Sequence, residues 1–130
     1  MPSNIELFET TIATFWFNVD GILCANSKKV ERKVEHYKEI MQLYKFLIET
    51  KNINKLCLLG VVDNNMKQDS VVREYIVSEM PKYVKAQALI SHKPLDASLS
   101  STFVGLSWNG FPVRLFNNEN EAIKWLKEYV

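Results

Sequence analysis

The feature that most constrains the fold is a short apolar run, Lys55-Leu-Cys-Leu-Leu-Gly-Val-Val62, between two segments of helical periodicity. The run is too short for a typical helix and lacks polar alternation, which predicts a strand buried on both faces of a sheet. Strands of this kind occur in parallel sheets that helices cover. The chain is therefore expected to form an α/β domain with this strand near the centre of the sheet.

Amphipathic helices are predicted on both sides of this strand. Apolar residues recur in steps of three and four over 31–50, and Asn52 follows as a residue that tolerates the left-handed conformation at a helix end. The start of this helix has no good capping residue. The same periodicity over 72–83 predicts a second helix, which Pro81 is expected to end or kink.

A β-hairpin is predicted at the beginning of the chain. Residues 11–18 are rich in β-branched and aromatic side chains, and 21–25 are again apolar. Asp20-Gly21 lies between them and is expected to supply the positive backbone dihedrals of a tight hairpin turn, whose length Val19 leaves open.

The remaining residues continue the alternation of strands and helices. We expect a strand at 84–90, a helix at about 94–107, a strand at 112–116 and a final helix that Asn118 and Glu121 begin with a capping box. The order β-β-α-β-α-β-α-β-α predicts a mixed sheet of about five strands, the later ones parallel, with four helices in one domain over 1–130.

Composition excludes several classes of protein. The chain has 130 residues and a formal net charge of +1, which suits one domain and lacks the basic footprint of a general nucleic-acid binder. We see neither a leader peptide nor an apolar stretch long enough to cross a membrane. A soluble, cytoplasmic protein with no nucleic-acid partner and no membrane span is expected.

The residues that most often carry catalysis or metal binding are sparse. Cys24 and Cys57 lie in apolar segments without a Cys-x-x-Cys pair, and His36 and His92 are far from both. The chain has no glycine-rich phosphate loop and no nucleophile elbow. We assign no metal, no cofactor and no catalytic residue, and expect a protein that is not an enzyme.

A candidate binding surface follows from the predicted sheet. Ligands of open α/β sheets bind at the carboxyl ends of the parallel strands, which selects the segments 63–70, 91–93 and 117–118. Asp69 or Ser70 is expected to be the N-cap of the second helix, and Ser70 at this helix N-terminus could instead accept a regulatory phosphate. The candidate partner or ligand surface comprises Asp63, Asn64, Asp69, Ser70, His92 and Lys93.

The predicted helix at 94–107 offers a second candidate. Ala97, Ser101 and Gly105 recur every four residues and form a ridge of small side chains on one helical face, with Trp108 nearby. Such a ridge either packs closely on the sheet or lines a groove for an apolar ligand or a partner helix. The sequence leaves both alternatives open.

The order of elements and several local stretches resemble the SpoIIAA-like, or STAS-like, bacterial domains, in particular their small stand-alone group. These motifs are mostly structural, so the resemblance concerns the fold more than any activity. The stretches are Phe15-Trp-Phe-Asn-Val-Asp-Gly-Ile22, Leu58-Leu-Gly-Val-Val-Asp63 leading to Val72-Arg-Glu-Tyr75, Ala86-Gln-Ala-Leu-Ile90, and Gly110-Phe-Pro-Val-Arg-Leu-Phe116 before Glu119-Asn-Glu-Ala-Ile-Lys-Trp-Leu126.

The resemblance implies a mixed-sheet module that works by binding rather than catalysis. Members that antagonise anti-sigma factors are switched by phosphorylation of a serine in an Asp-Ser-Ser-Gly context. Asp69-Ser70 lies in the comparable region, but Val71-Val72 replace the Ser-Gly that follows. We therefore expect a regulatory module with an unidentified protein partner or a homodimeric state. The alternative is a carrier or sensor of a small apolar or anionic ligand, with a groove beside the third helix.

Overall fold

A single mixed sheet forms the centre of the protein. The computed structural model describes residues 6–28, 30–61, 70–91 and 111–130, and its six strands follow one another across the sheet in chain order. β1 pairs with β2, and β2 with β3, in antiparallel fashion; β3 to β6 are parallel. The strands are β1 Phe8–Glu9, β2 Ala13–Phe17, β3 Leu23–Ser27, β4 Leu56–Val61, β5 Val84–Ile90 and β6 Val113–Phe116.

Three α-helices accompany the described strands. They are α1 Val34–Lys51, α2 Ser70–Glu79 and α3 Glu119–Leu126, and a 3-10 turn at Met80–Lys82 follows α2. The predicted α/β class, the opening antiparallel hairpin and the parallel later strands are confirmed. The count differs from the five strands and four helices expected, because β1 was not foreseen and the helix predicted at 94–107 lies outside the described residues.

β1 owes its place to a turn rather than to a long apolar run. The Thr10 amide donates to the Ala13 carbonyl at 2.8 Å, and the Thr10 hydroxyl caps the same turn. The Lys28 ammonium bonds both the Glu9 carboxylate and the Thr10 carbonyl at 2.8 Å. A strand of two residues has no periodicity to detect, so side-chain contacts of this kind fix its position.

The turn between β2 and β3 differs from the expected Asp-Gly turn. The Asn18 amide donates to the Ile22 carbonyl at 3.0 Å, which gives a three-residue loop. Only Gly21 has a positive φ there, at 79°, as in a type I turn closed by a glycine bulge. The Asn18 side chain accepts from the amides of Asp20 and Ile22, which stabilises this loop.

The ends of α1 show one confirmed prediction and one correction. Asn52 ends the helix in the left-handed conformation with φ of 55°, as predicted. The start was expected to lack a cap, but the Lys33 amide donates to Nδ1 of His36 at 3.1 Å. A histidine three residues into a helix can accept this bond as Glu or Gln does in a capping box.

The ends of α2 and α3 follow the sequence signals. α2 gives way to the 3-10 turn that contains Pro81, which confirms that the proline ends the helix. Asn118 Oδ1 accepts from the Glu121 amide at 3.2 Å, which confirms the predicted cap of α3. The expected return bond from the Glu121 side chain is not found within the described part of the chain.

The helices cover opposite faces of the sheet. α1 and α2 pack on one face, hereafter the α1/α2 face, against apolar residues that include Leu56, Leu58 and Val84. α3 packs on the other, the α3 face, against Cys57, Leu59, Ala86 and Ala88. Consecutive residues of β4 therefore enter different cores, which is why the apolar run at 55–62 shows no polar alternation. Among the described residues, no helix is long and apolar enough to cross a membrane.

Candidate functional site

The structure describes only one of the residues predicted from the sequence to form a site. Ser70 is the first residue of α2 and is exposed to solvent. Whether the other candidate residues lie near Ser70 is not described, because they lie outside the described residues. These are Asp63, Asn64, Asp69, His92, Lys93, Ala97, Ser101, Gly105 and Trp108.

A cavity lies between the α1/α2 face of the sheet and helix α1. Its volume is ≈ 170 Å³. Ser27 and Gly60, at the carboxyl ends of β3 and β4, contribute to its wall together with Arg32, and all three are at least partly exposed. The mouth therefore lies at the sheet edge where α/β proteins usually bind their ligands.

Small residues in neighbouring strands form part of the cavity floor. Ala25 lies in β3 and Gly60 in β4, and both line the cavity. A methyl group built on Gly60 would lie 3.7 Å from Leu89 Cδ2, an ordinary van der Waals contact. Since Gly60 has neither a positive φ nor a close neighbour that requires glycine, its missing side chain leaves space that a larger residue could occupy.

Large side chains of α1 form the opposite wall. Tyr37, Ile40, Met41 and Tyr44 recur in steps of three and four, are all buried, and all line the cavity. The Tyr44 ring also packs edge-on against Phe15 of β2, with ring centroids 5.8 Å apart. Rigid aromatic packing of this kind keeps the helix at a distance from the small residues of the floor.

The Tyr44 hydroxyl is the most unusual polar group of the cavity. Tyr44 is only 4% exposed, and within the described part of the chain no hydrogen bond joins its hydroxyl to another group. Burial raises the pKa of this phenol, and the neighbouring Tyr37 raises it further. The group therefore stays protonated at neutral pH and can donate a hydrogen bond to a molecule in the cavity.

Arg32 provides the charge at the mouth. It lies just before α1, and its Nη1 donates to the Tyr37 hydroxyl at 3.5 Å, a long hydrogen bond. None of the ion pairs formed by the described residues includes Arg32. Most of the guanidinium donors are thus not engaged by the described residues and could pair with a bound group.

Contacts at both ends of α1 hold this wall of the cavity in place. Near its start, Glu39 Oε1 accepts from the Thr11 amide at 2.7 Å and ties the helix to the approach to β2. At its end, the Lys51 ammonium lies 4.9 Å from the centroid of the Phe17 ring. These contacts join α1 to the β1–β2 edge, on the side of the helix opposite to α2.

The cavity has the composition of a binding site. Its described lining is mainly apolar, with a few polar groups from Arg32, Tyr37, Tyr44 and Gln87. In the described ranges, no group of three or more His, Cys, Asp or Glu side chains is placed to hold a metal ion. An apolar lining with few polar groups is typical of a pocket that recognises a small molecule.

Comparison with known proteins assigns the chain to a family. Residues 15–130 match the model of DUF7793, a domain of unknown function. The chain belongs to the DUF7793 family. Searches of curated proteins and of solved structures found no match. The matched residues of this DUF7793 chain include α1, β4 and β5, so most of the described cavity wall belongs to the family domain.

Reasoning from the sequence did not find the residues of this cavity. Gly60 gave a usable signal, because a glycine inside an apolar strand often marks space or a close approach. The helical periodicity over 31–50 includes Tyr37 and Tyr44, and the usual need of a buried tyrosine hydroxyl for a hydrogen-bond partner is the signal that could have marked this wall. Arg32 gave no signal, because its position relative to the sheet depends on how the chain enters α1.

Proposed function

We propose that this DUF7793 chain binds a small, largely apolar molecule in the cavity between α1 and the sheet, as a carrier or sensor. The sequence alternative placed such a ligand beside the helix predicted at 94–107, which lies outside the described residues. The cavity offers a different location, at the carboxyl ends of β3 and β4. The observation that carries the proposal is the buried Tyr44 hydroxyl without a described partner in the wall of this cavity.

The energetics of the Tyr44 hydroxyl support this proposal. A buried polar group without a hydrogen bond costs about 1–3 kcal/mol. Replacement by phenylalanine would remove that cost and keep the aromatic contact with Phe15. A molecule that accepts a hydrogen bond from Tyr44 would recover the cost only when it is bound, which contributes to affinity.

The size of the cavity limits the ligand. Its volume is ≈ 170 Å³. An apolar protein cavity of about 150 Å³ is known to accept benzene. The buried part of the ligand is therefore about the size of one six-membered ring or a short alkyl chain, and any larger portion would extend through the mouth.

Native mass spectrometry of the gently purified protein tests this function. The wild-type chain is expected to carry a small, denaturation-sensitive adduct, and Gly60→Leu is expected to lose it because the new side chain occupies the floor. Gly60→Ala is the matched control, since its methyl group makes only an ordinary contact with Leu89. An adduct retained equally by Gly60→Leu would place the ligand elsewhere, and a bare wild-type chain would contradict a carrier function.

A regulatory interaction through the start of α2 is a second candidate. Val71 is 62% exposed beside the exposed Ser70, which gives an apolar contact point next to a modifiable hydroxyl. Ser70→Asp should then change binding to a protein partner or self-association, whereas Ser78→Asp at the other end of the helix should not. Equal behaviour of both variants would reject this candidate.

The fold resemblance remains part of the proposal. We propose that the domain is SpoIIAA-like, because an antiparallel opening hairpin precedes parallel strands in consecutive order and helices connect β3 to β4 and β4 to β5. An experimental structure that includes residues 92–110 tests this. A helix between β5 and β6 on the α1/α2 face would support the assignment, and a different connection would contradict it.

A further inference from the structure

We infer that the ligand of the α1 cavity is a small carboxylate, whose apolar part enters the cavity and whose carboxylate is held by Arg32 at the mouth. The inference rests on the proposed function and adds the chemical class of the ligand. Its basis is the distribution of charge around the cavity rather than the cavity volume alone.

The described lining of the cavity carries a single kind of charge. Arg32 is its only residue that is charged at neutral pH, and the described lining includes neither Asp nor Glu. Arg32 makes no ion pair with the described residues, and its one hydrogen bond within that part of the chain, to Tyr37, is long. A cation that borders an apolar space and has no carboxylate partner among the described residues favours an anionic ligand.

The position of Arg32 suits a carboxylate. The side chain is partly exposed at the mouth, two residues before the first residue of α1, so the positive end of the helix dipole adds to its charge. Its planar guanidinium can form two parallel hydrogen bonds with a carboxylate. Tyr37, already bonded to Arg32, limits the directions in which the guanidinium can point.

The same features favour a monoanion over a phosphate ester. One guanidinium balances one negative charge, whereas a phosphate monoester carries about two at neutral pH. The cavity, at ≈ 170 Å³, holds a ring or a short alkyl chain. An aromatic or short-chain carboxylic acid satisfies the charge and the volume together.

Isothermal calorimetry with benzoate and its neutral analogue benzyl alcohol tests the inference. Both molecules place the same ring in the cavity, but only benzoate can pair with Arg32. The wild-type protein is expected to bind benzoate about 10-fold or more tightly than benzyl alcohol, as charge-assisted hydrogen bonds typically give. Arg32→Gln is expected to remove this preference while leaving the affinity for benzyl alcohol nearly unchanged.

Lys33→Gln provides the matched control, because it removes a neighbouring positive charge that does not line the cavity. This variant is expected to retain most of the preference for benzoate. Arg32→Lys should retain only part of it, because an ammonium lacks the planar pair of donors. Thermal unfolding of each variant shows whether the fold is intact.

The outcomes separate the ligand class from the proposed function. Equal binding of benzoate and benzyl alcohol, or an unchanged preference in Arg32→Gln, would overturn the carboxylate while leaving the cavity as a binding site. If Lys33→Gln loses the preference for benzoate as fully as Arg32→Gln, the preference comes from the general positive charge of the region. That result would also overturn the inference. If neither molecule binds, the carboxylate is overturned, and native mass spectrometry of the wild-type chain decides the cavity function separately.

Discussion

The two faces of the sheet use small residues in opposite ways. On the α3 face, Ala86 and Ala88 of β5 meet Ala122 of α3, and all three are fully buried. On the α1/α2 face, Ala25 and Gly60 lie beneath the large side chains of α1, and a cavity separates them. Small strand residues therefore allow close packing where the facing helix residue is also small. They leave space where the facing helix residues are tyrosines.

The difference separates a structural face from a candidate functional one. Close packing on the α3 face gains dispersion energy from every buried atom. The cavity on the α1/α2 face forgoes part of that energy and retains a hydroxyl without a described partner. A loss of packing energy at the sheet edge where α/β proteins bind ligands supports the proposed binding site.

The largest expected effect compares a truncation on each face. Leu126→Ala removes a side chain with no exposed surface from the α3 face and should lower the free energy of unfolding by about 2–5 kcal/mol. Met41→Ala, in the cavity wall, should cost less, because Met41 already borders empty space. Urea denaturation followed by circular dichroism measures both. An equal or larger loss for Met41→Ala would contradict the difference in packing.

Enlarging a small residue should destabilise the α3 face but not the cavity. Ala88→Leu would overpack the α3 face and is expected to lower the free energy of unfolding by about 1–3 kcal/mol. Gly60→Ala is expected to raise it by about 0.4–1 kcal/mol, since it restricts the unfolded chain without a clash. The same denaturation experiment compares them. A destabilised Gly60→Ala would show that the space above Gly60 cannot accept a side chain.

Alkaline pH should lower the stability of the protein through the buried Cys24 thiol of the α3 face. Burial raises the pKa of Cys24 from 9.0 to about 11, with a smaller contribution from Glu119. The folded state thus keeps a proton that the unfolded state loses, so this contribution to stability is complete below pH 9 and is lost as the pH rises towards 11. Unfolding free energies measured across this range should fall less steeply for Cys24→Ala. Parallel slopes would contradict the assignment.

The smallest expected change is Tyr44→Phe. Because the lost hydroxyl has no described partner, the free energy of unfolding should change by less than about 1 kcal/mol, or increase. The edge-on contact with Phe15 is kept. Thermal and urea unfolding measure this change in the free energy of unfolding. A loss well above this range would show that the hydroxyl already has a partner, and the main support for the cavity site would be removed.

The sequence predicted best the elements whose signals are local. Asn52, Pro81 and Asn118 each fix a helix end through their own backbone or side-chain chemistry, and the structure confirms all three. The run that forms β4 is recognisable from sequence because its residues enter two cores and are therefore apolar without alternation. These features depend on a few neighbouring residues, so tertiary contacts did not need to be known.

The sequence failed where distant residues decide the outcome. β1 depends on Lys28 reaching back to Glu9, and the hairpin loop depends on the Asn18 side chain accepting from the amides of Asp20 and Ile22. The cavity depends on Gly60 lying opposite α1, which requires the strand register and the helix position together. Most residues of the site expected from the sequence lie in 62–69 and 92–110, outside the described ranges.

Residue-resolved NMR titration with benzoate tests the central claim most directly. Binding between α1 and the sheet should shift the amide resonances of Gly60, Tyr44 and Leu89, while those of Ala88 and Ala122 on the α3 face stay in place. Gly60→Leu should abolish these shifts at the same benzoate concentration. Shifts on the α3 face, or shifts that persist in Gly60→Leu, would contradict a ligand site in the α1 cavity.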